Sequence, residues 1–423
     1  MKPKNKFQKQ VAELSKQLPT ITETQTRWAF RHCFEHIAKR TVKGVCTCLE
    51  CGHEWTEKQH TENRAVCPHC GMLLNVKTTR QRVFKQTEYF CVVITFRGFQ
   101  VLRFFYLDAY RKAGQQALFF CREVIQRWIA PNGKYATLAL LRPMCCFQDT
   151  WLFGSSLEIR PEKELYDVMP TKVYPRYRVL PEIKRNGFKG AYHDLTPFEL
   201  LRSILTNSRA ETLLKAEQYE LLRYFIRTKY RTLESHWASA RICIRNRYTI
   251  KDGSIWCDYI DMLQQLGKDI HNPRYVCPDN LKEAHDYAQN EVRKQREREE
   301  QERKRRRAIE DESRFRELKS KFFGIAFTDG TIHIRVLESV QEHLEEGTDL
   351  HHCVFTNAYY LKPHSLILSA TINGERMETV EVSLETMKVV QCRGLCNKNT
   401  EYHDQIIRLV KRNLKQIRQR MAS

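Results

Sequence analysis

The sequence contains no apolar run that could cross a membrane. A transmembrane helix needs about 20 consecutive, mostly apolar residues, and the 423-residue chain has no such stretch. The first residues, Met1 to Lys6, are also not followed by the apolar segment of an export signal. We therefore expect a cytoplasmic protein that makes no membrane contact.

Without an export signal, the 16 cysteines are not expected to form disulfides. Thiols stay reduced in the cytoplasm, where they are buried, reactive or bound to metals. Four of them form two Cys-x-x-Cys pairs, each followed by glycine, a residue that accepts the left-handed backbone of a tight loop. These four residues are Cys48, Cys51, Cys67 and Cys70.

Two such pairs offer the four thiolates that zinc binds as a tetrahedron. The spacing predicts one structural Zn²⁺ site in a zinc ribbon over residues 44–76, with no open position for catalysis. Cys46 is a candidate substitute ligand. The alternatives are a disulfide pair or a redox motif, although a redox motif needs only one Cys-x-x-Cys beside a βαβ pattern.

Positive charge is concentrated in the first two thirds of the chain. The formal net charge is +21, and residues 1–165 hold 26 Lys and Arg against 14 Asp and Glu. A basic surface attracts phosphate backbones, so DNA or RNA is an expected partner. An ordinary soluble basic protein is the alternative, and charge alone does not choose between them.

Residues 76–160 are rich in β-branched and aromatic residues and predict an antiparallel sheet that continues from the ribbon. Basic side chains alternate with the aromatic ones, so one face could contact phosphates while rings stack on bases. In the alternative, the aromatic residues form the core and the basic residues are solvated. The candidate phosphate contacts are Arg80, Arg82, Lys85, Arg97 and Arg103.

The pattern as a whole predicts a multidomain α+β protein of six segments. A second N-terminal helix is expected over Thr26–Lys39, and the prolines of residues 161–181 indicate a connection. The segments are N-terminal helices (1–43), the ribbon (44–76), an antiparallel β region (77–165), a helical domain (166–282), a charged helix or linker (283–320) and a C-terminal α+β domain (321–423).

The charged segment has acid-before-base pairs four residues apart, such as Glu299 with Arg303. Such pairs support a helix that has no core. We interpret it as a solvated spacer. The alternative is that the basic run Arg303 to Arg307 docks on nucleic acid.

Chemically competent side chains cluster in the C-terminal segment, beyond a short helix that we expect to end at Gly347. His352 could act as a general base or Cys353 as a nucleophile, while Arg393 stabilises negative charge. A variant places a second metal at His351, His352, Cys353, Cys392 and Cys396. The candidate catalytic residues are His352, Cys353, Glu381, Gln391, Arg393 and Asn397.

Several runs in this segment resemble the PcfJ-like family, which is named for a protein of conjugative plasmids. They are Leu350-His-His-Cys-Val354, Tyr359, Thr379-Val-Glu381, Gln391-Cys-Arg-Gly-Leu-Cys-Asn397 and, upstream, Cys277 to Asp286. Phe355 stands where the family usually has glycine, and residues 365–372 lack its arginine. The resemblance implies a bacterial mobile element, such as a conjugative element or phage, and partners from that element. It implies no activity.

Three functions follow from these observations. The first is a zinc-ribbon accessory protein that binds nucleic acid. The second is an enzyme of a hydrolase or nuclease kind, with its site in the 351–353 and 391–397 loops. The third is a scaffold in which the charged helix separates two modules.

Overall fold

The computed structural model describes residues 2–56, 63–145, 148–161 and 164–422. Residues 57–62, inside the predicted ribbon, lie outside them. The chain divides into two compact units, Met1–Asp286 and Tyr287–Ser423. Helices and several separate sheets confirm the predicted α+β class. In the part of the chain that is described, no helix combines the length and the apolar character needed to span a bilayer.

The first unit begins with helices α1 (Lys6–Ser15) and α2 (Glu23–Cys33). The Asn5 side chain caps α1, and Thr22 forms a capping box that starts α2. The predicted helix over Thr26–Lys39 is wrong at its end, because α2 stops at Cys33 and Ile37–Arg40 forms a strand. Burial of Ile37 and Ala38 accounts for this change.

A small sheet surrounds the cysteine pairs, in the order β3-β2-β1-β5-β4. Strands β1 and β5 are parallel, and the other neighbours are antiparallel. Its core contains Ala38, Cys46 and Leu74, all fully buried. The strands are β1 (Ile37–Arg40), β2 (Val45–Cys48), β3 (Glu54–Thr56), β4 (Arg64–Val66) and β5 (Leu73–Thr78).

A second, larger sheet has the order β12-β9-β8-β7-β6-β13. The predicted sheet is thus present, but it is separate from the ribbon sheet. Its strands are β6 (Val83–Phe96), β7 (Phe99–Lys112), β8 (Leu118–Ile129), β9 (Tyr135–Ala139), β12 (Glu158–Arg160) and β13 (Lys172–Val173); β10 (Met144–Cys145) and β11 (Gln148–Asp149) pair by themselves.

Both N-terminal helices pack on this larger sheet. Val11 of α1 contacts the cluster of Val101 and Trp128, and Ala29 of α2 joins that of Phe90. The predicted proline-rich connection is wrong in one detail, since β13 pairs in parallel with β6.

The rest of the first unit is helical, as the sequence predicts for residues 190–275. The helices are α3 (Pro181–Arg185), α4 (Pro197–Thr206), α5 (Ser208–Lys215), α6 (Tyr219–Arg227), α7 (Leu233–Arg245), α8 (Gly253–Gln265) and α9 (Pro273–Val276).

The charged segment forms one helix, α10 (Leu281–Lys319), which starts in the first unit and ends in the second. Its acid–base pairs include Arg303 with Glu300. Toward its end it is no longer a solvated spacer, because Ala308 and Phe315 are buried. Lys319 is buried too, and its ammonium group donates to three backbone carbonyls at 2.7–3.0 Å.

The second unit is built on an antiparallel meander of five strands that pair in chain order. One sheet face packs on the C-terminal helix through an apolar core that includes Leu368, Val380 and Ile406. The other face carries the helix that follows the second of these strands. The elements are β14 (Ala326–Thr328), β15 (Ile332–Val336), α11 (Val340–Asp349), β16 (Ser365–Ile372), β17 (Glu375–Ser383), β18 (Lys388–Gly394) and α12 (His403–Ala422).

Helix α11 continues past Gly347, so the expected helix end at this glycine is wrong. The residue serves close packing instead. A Cβ atom at Gly347 would lie 3.0 Å from the carbonyl oxygen of His352 and 3.4 Å from a methyl of Val354. The glycine therefore lets the 351–355 loop pass directly against the helix.

We predict that Phe315→Ala lowers the free energy of unfolding of the second unit by about 3–5 kcal/mol, since it leaves a cavity among Val340, Phe355 and Tyr360. Urea denaturation followed by circular dichroism measures the loss. Ile309→Ala is the control on the same helix, because Ile309 is 77% exposed. Equal effects of the two substitutions would contradict the packing of α10 on this unit.

We also predict that His343 makes the second unit less stable in acid. Burial lowers the pKa of His343 from 6.5 to about 4, so between these pH values the unfolded chain binds a proton that the folded unit does not. The contribution of neutral His343 is full above pH 6.5 and falls by about 1.4 kcal/mol per pH unit toward pH 4.

Urea titrations at several pH values test this dependence. His343→Phe keeps a ring beside Phe315 and Tyr360 and should flatten the decline between pH 6.5 and 4. His333→Phe removes an exposed histidine and should leave the decline as in the parent. A His343→Phe variant with the parent's pH profile would refute the assignment.

Candidate functional site

The four predicted cysteines, Cys48, Cys51, Cys67 and Cys70, form one cluster. The sulfur atoms of Cys48 and Cys70 lie 3.8 Å apart, and those of Cys51 and Cys67 lie 3.7 Å apart. Four sulfurs bound to one zinc ion at about 2.3 Å would be about 3.8 Å apart in a tetrahedron. The cluster could therefore hold a metal ion, and its spacing fits a tetrahedral one.

The local backbone explains how each pair converges. Gly52 and Gly71 have φ of 79° and 69°, and each amide donates to the carbonyl of the first cysteine of its pair at 2.9 Å. Gly52 has a second role, because a Cβ atom there would lie 3.0 Å from the backbone of Gln115. The suggested substitute ligand, Cys46, is buried in the apolar core and lies outside the cluster.

All six candidate catalytic residues line a single pocket of about 230 Å³ in the second unit. Register places Thr379 opposite Arg393 and Glu381 opposite Gln391, so these four side chains share the sheet face that carries α11. We call this the C-terminal pocket; it is lined by His352, Cys353, Val354, Asn357, Tyr359, Ile367, Thr379, Glu381, Gln391, Arg393 and Asn397.

His352 is linked to a buried carboxylate through Thr379. Its Nε2 lies 2.8 Å from Thr379 Oγ1, and the Thr379 hydroxyl donates to Glu346 Oε1 at 2.7 Å. Glu346 is fully buried and also accepts from the Ser369 hydroxyl at 2.8 Å and from Arg376 Nε at 2.9 Å. Donation of the single Thr379 proton to this carboxylate would leave its oxygen to accept a proton from the imidazole, which would then carry that proton on Nε2.

Burial shapes the acid–base behaviour of this chain of groups. Desolvation lowers the pKa of His352 below its usual value, which favours the neutral ring. Burial also raises the pKa of Glu346, although the hydroxyls and Arg376 act in the opposite direction. A neutral histidine that a hydroxyl connects to a carboxyl group of raised pKa can accept a proton and pass one on.

The two charged residues of the pocket do not pair with each other. Glu381 accepts from the Ser365 hydroxyl at 2.6 Å and from Gln391 Nε2 at 2.8 Å. Arg393 Nη1 donates to the side-chain oxygen of Asn399 at 2.7 Å.

The loops around the pocket hold unusual backbone conformations. His351, Ala358, Cys396 and Asn397 are non-glycine residues with φ between 48° and 61°. The two loops are tied together, because the Cys396 amide donates to the carbonyl of Leu350 at 2.9 Å. Such strain persists only where the surroundings enforce it, and it is often found at functional sites.

The suggested second metal site is wrong. Cys392 points to the opposite sheet face, where it lies against Glu378 and His403, and His351, His352, Cys353 and Cys396 do not join it. Its sulfur and the Nδ1 of His403 approach Glu378 Oε2 to 2.7 and 2.8 Å. Ligands of one zinc ion would be separated by about 3.3–3.6 Å, so these contacts are hydrogen bonds. Thr400 gives Glu378 two more, at 2.6 and 2.7 Å.

Of the candidate phosphate contacts, Arg80, Arg82, Lys85 and Arg97 are exposed. The prediction that Arg103 contacts phosphates is wrong, because its side chain is only 7% exposed. Its guanidinium instead binds the Glu123 carboxylate at 2.6 and 2.7 Å.

Another basic surface lies at one end of the ribbon sheet and contains Arg80. We call it the basic concavity. Its volume is about 640 Å³, and within residues 2–56, 63–145, 148–161 and 164–422 no acidic side chain lines it. The residues that line it are Lys39, Arg40, Thr41, Val42, Lys43, Thr78, Thr79 and Arg80.

Sequence reasoning missed Glu346 and three of the four basic residues of the concavity. Glu346 follows Val340 and His343 at intervals of three, which places it on the buried face of α11. That spacing was the available signal. The predicted helix over Thr26–Lys39 includes Lys39 and ends just before Arg40, so the sequence does not indicate that both lie at the end of a strand.

One comparison with known proteins finds a match. A family model described as "PcfJ-like protein" matches residues 255–407. The match supports this family for the C-terminal part of the chain. It includes both loops of the C-terminal pocket and excludes the cysteine cluster. No curated protein and no solved structure matches the chain.

We predict that one metal ion per chain is lost in Cys51→Ser and that the ribbon then unfolds, because metal binding supplies much of the folding energy of such small sites. Elemental analysis gives the metal content, and limited proteolysis reports on residues 44–76. Cys396→Ser, which changes an exposed cysteine outside the cluster, should leave both unchanged. A Cys51→Ser protein with the parent's protease resistance would contradict this role.

Proposed function

We propose that this protein is a zinc-stabilised accessory protein that binds nucleic acid through the basic concavity, in the mobile-element setting that the family resemblance implies. The observation that carries the proposal is the convergence of Lys39, Arg40, Lys43 and Arg80 on one concave surface, where none of the described lining residues is acidic. Clefts of one charge sign concentrate the electric field and attract the opposite charge.

The cysteine cluster supports the shape of this surface. Cys48 is the register partner of Ala38, next to Lys39 on β1, and β1 pairs with β5, which leads to Thr79 and Arg80. The Arg40 guanidinium is held by its Nε donating to Thr78 Oγ1 at 3.0 Å. A zinc ion in the cluster would therefore fix the strands that present the basic side chains, while making no contact with the ligand.

The expected contacts are with phosphates. Lysine and arginine side chains on a concave surface neutralise backbone charge and position the protein without reading sequence. Arg82, Lys85 and Arg97 would add to the same positive field, whereas Arg103 is neutralised by Glu123.

We predict that Lys43→Glu combined with Arg80→Glu weakens binding to DNA or RNA and flattens its dependence on salt. Each phosphate contact contributes about −0.9 to the slope of log K against log [salt] for duplex DNA. Fluorescence anisotropy with labelled single-stranded and duplex DNA and RNA, across a salt series, measures affinity and slope together.

The matched control is Lys411→Glu with Lys415→Glu, which makes the same change in net charge at exposed positions of α12. The control pair should keep the parent's slope. The proposal would be refuted if the parent did not bind nucleic acid at low salt. It would also be refuted if both double variants lost the same affinity. The metal-free protein should lose binding as well, because the strands that carry the concavity would no longer be held.

A further inference from the structure

The C-terminal pocket holds two opposite charges that form no ion pair with each other or with another described residue. Glu381 and Arg393 stand on adjacent strands of one sheet face. Among the residues that the structure describes, neither forms an ion pair, and their hydrogen bonds go to Ser365, Gln391 and Asn399. A guanidinium held open in this way suits an oxyanion.

The pocket also contains a base with a route for its proton. His352 is more than half buried in its loop, and its Nε2 contacts Thr379, which contacts Glu346. Three donors hold Glu346 in place, including Arg376, which is itself bound by Glu345 at 3.3 Å and by Asp349. Burying a carboxylate costs free energy. In this unit the buried carboxylate is connected through Thr379 to His352, which lines the pocket.

We propose that the C-terminal pocket binds a compact ligand whose oxyanion, a carboxylate or a phosphate, is held by Arg393, and that His352 takes a proton from this ligand. Glu381 accepts a hydrogen bond from a donor group of the same ligand. This activity is independent of the proposed nucleic-acid binding, which uses residues of the first unit.

The proton that the ligand loses is taken up by His352, Thr379 and Glu346 acting in sequence. The ligand loses one proton to Nδ1 of His352, and the imidazole passes its Nε2 proton to Thr379 Oγ1. The Thr379 hydroxyl proton moves to Glu346 Oε1. One proton enters, one is stored on the carboxylate, and the imidazole stays neutral. His352 is thus the catalytic residue, and Thr379 and Glu346 are positioning residues.

Cys353 provides a probe for the oxyanion subsite, because it is exposed and lines the pocket. Iodoacetate and iodoacetamide both alkylate its sulfur and release iodide, but only iodoacetate carries a carboxylate. We expect Arg393→Gln to lower the ratio of iodoacetate to iodoacetamide rates at Cys353 about fivefold. Peptide mass spectrometry measures both rates, and Cys396, exposed but outside the pocket lining, is the internal reference.

Lys398→Gln is the matched control, since it removes one exposed positive charge from the same loop without changing the pocket lining. It should keep the parent's ratio at Cys353. Equal ratios in the parent, Arg393→Gln and Lys398→Gln would overturn the oxyanion site, as would a Cys353 that does not react in the folded protein.

Competition identifies the class of oxyanion. Inorganic phosphate and acetate are added separately before iodoacetamide, and protection of Cys353 relative to Cys396 is measured. Stronger protection by phosphate indicates a phosphoryl ligand, and stronger protection by acetate indicates a carboxylate. If neither anion protects Cys353, the oxyanion site is refuted.

The proposed proton path from His352 through Thr379 to Glu346 is tested by the protonation of the His352 ring. Nitrogen-15 chemical shifts report which ring nitrogen carries the proton. We expect Nε2–H in the parent and in Thr379→Ser, which keeps the hydroxyl, and a shift toward Nδ1–H in Thr379→Val. Glu346→Gln should also change the tautomer ratio. Ratios unchanged in both Thr379→Val and Glu346→Gln would show that the contacts are structural only.

Discussion

The second unit depends on the buried carboxylate of Glu346. A charge without solvent is tolerated only when it is fully hydrogen-bonded or paired, and this one takes donors from two strands and from Arg376. These contacts fix the distance between α11 and the sheet. The His352 loop is then confined between the helix and Thr379, with Gly347 providing the space. The hydrogen bonds and the ion pair of the buried Glu346 carboxylate therefore position the elements that line the pocket.

Side chains of this sheet alternate between its two faces, so that one face lines the pocket and the other packs in the apolar core. On β18, Gln391 and Arg393 face the pocket, and Cys392 between them faces the apolar core beneath α12. Glu378 and Thr379 divide in the same way on β17: Glu378 anchors the turn before α12, and Thr379 serves the pocket. A one-residue change of register would exchange these roles, so the bulge between Glu381 and Val382 must be placed accurately.

Local signals in the sequence were sufficient for the metal cluster, because ligands three residues apart converge whatever surrounds them. Six of the residues that line the C-terminal pocket are also selected from the sequence, although Glu381, Gln391 and Arg393 lie within strands. Partners distant in sequence were not predictable. Arg103 meets Glu123 only because β7 and β8 pair across a shifted register near Phe104. The sequence up to Lys39 has a helical pattern, but in the structure Ile37–Arg40 forms strand β1, which pairs with β5. This pairing buries Ile37 and Ala38.

The parts of α10 differ in what maintains them. Near its start the helix buries Ala288 and Val292, and from Ala308 onward it is held by a core. Between these parts, surface pairs such as Arg303 with Glu300 contribute only a few tenths of a kcal/mol each. Local opening is therefore expected between Val292 and Ala308, the stretch that also carries the run Arg303 to Arg307. A protease that cleaves after basic residues meets its densest targets where the backbone opens most readily. A cut within this run would leave Ala308 and Phe315, with the core that they join, on the C-terminal fragment.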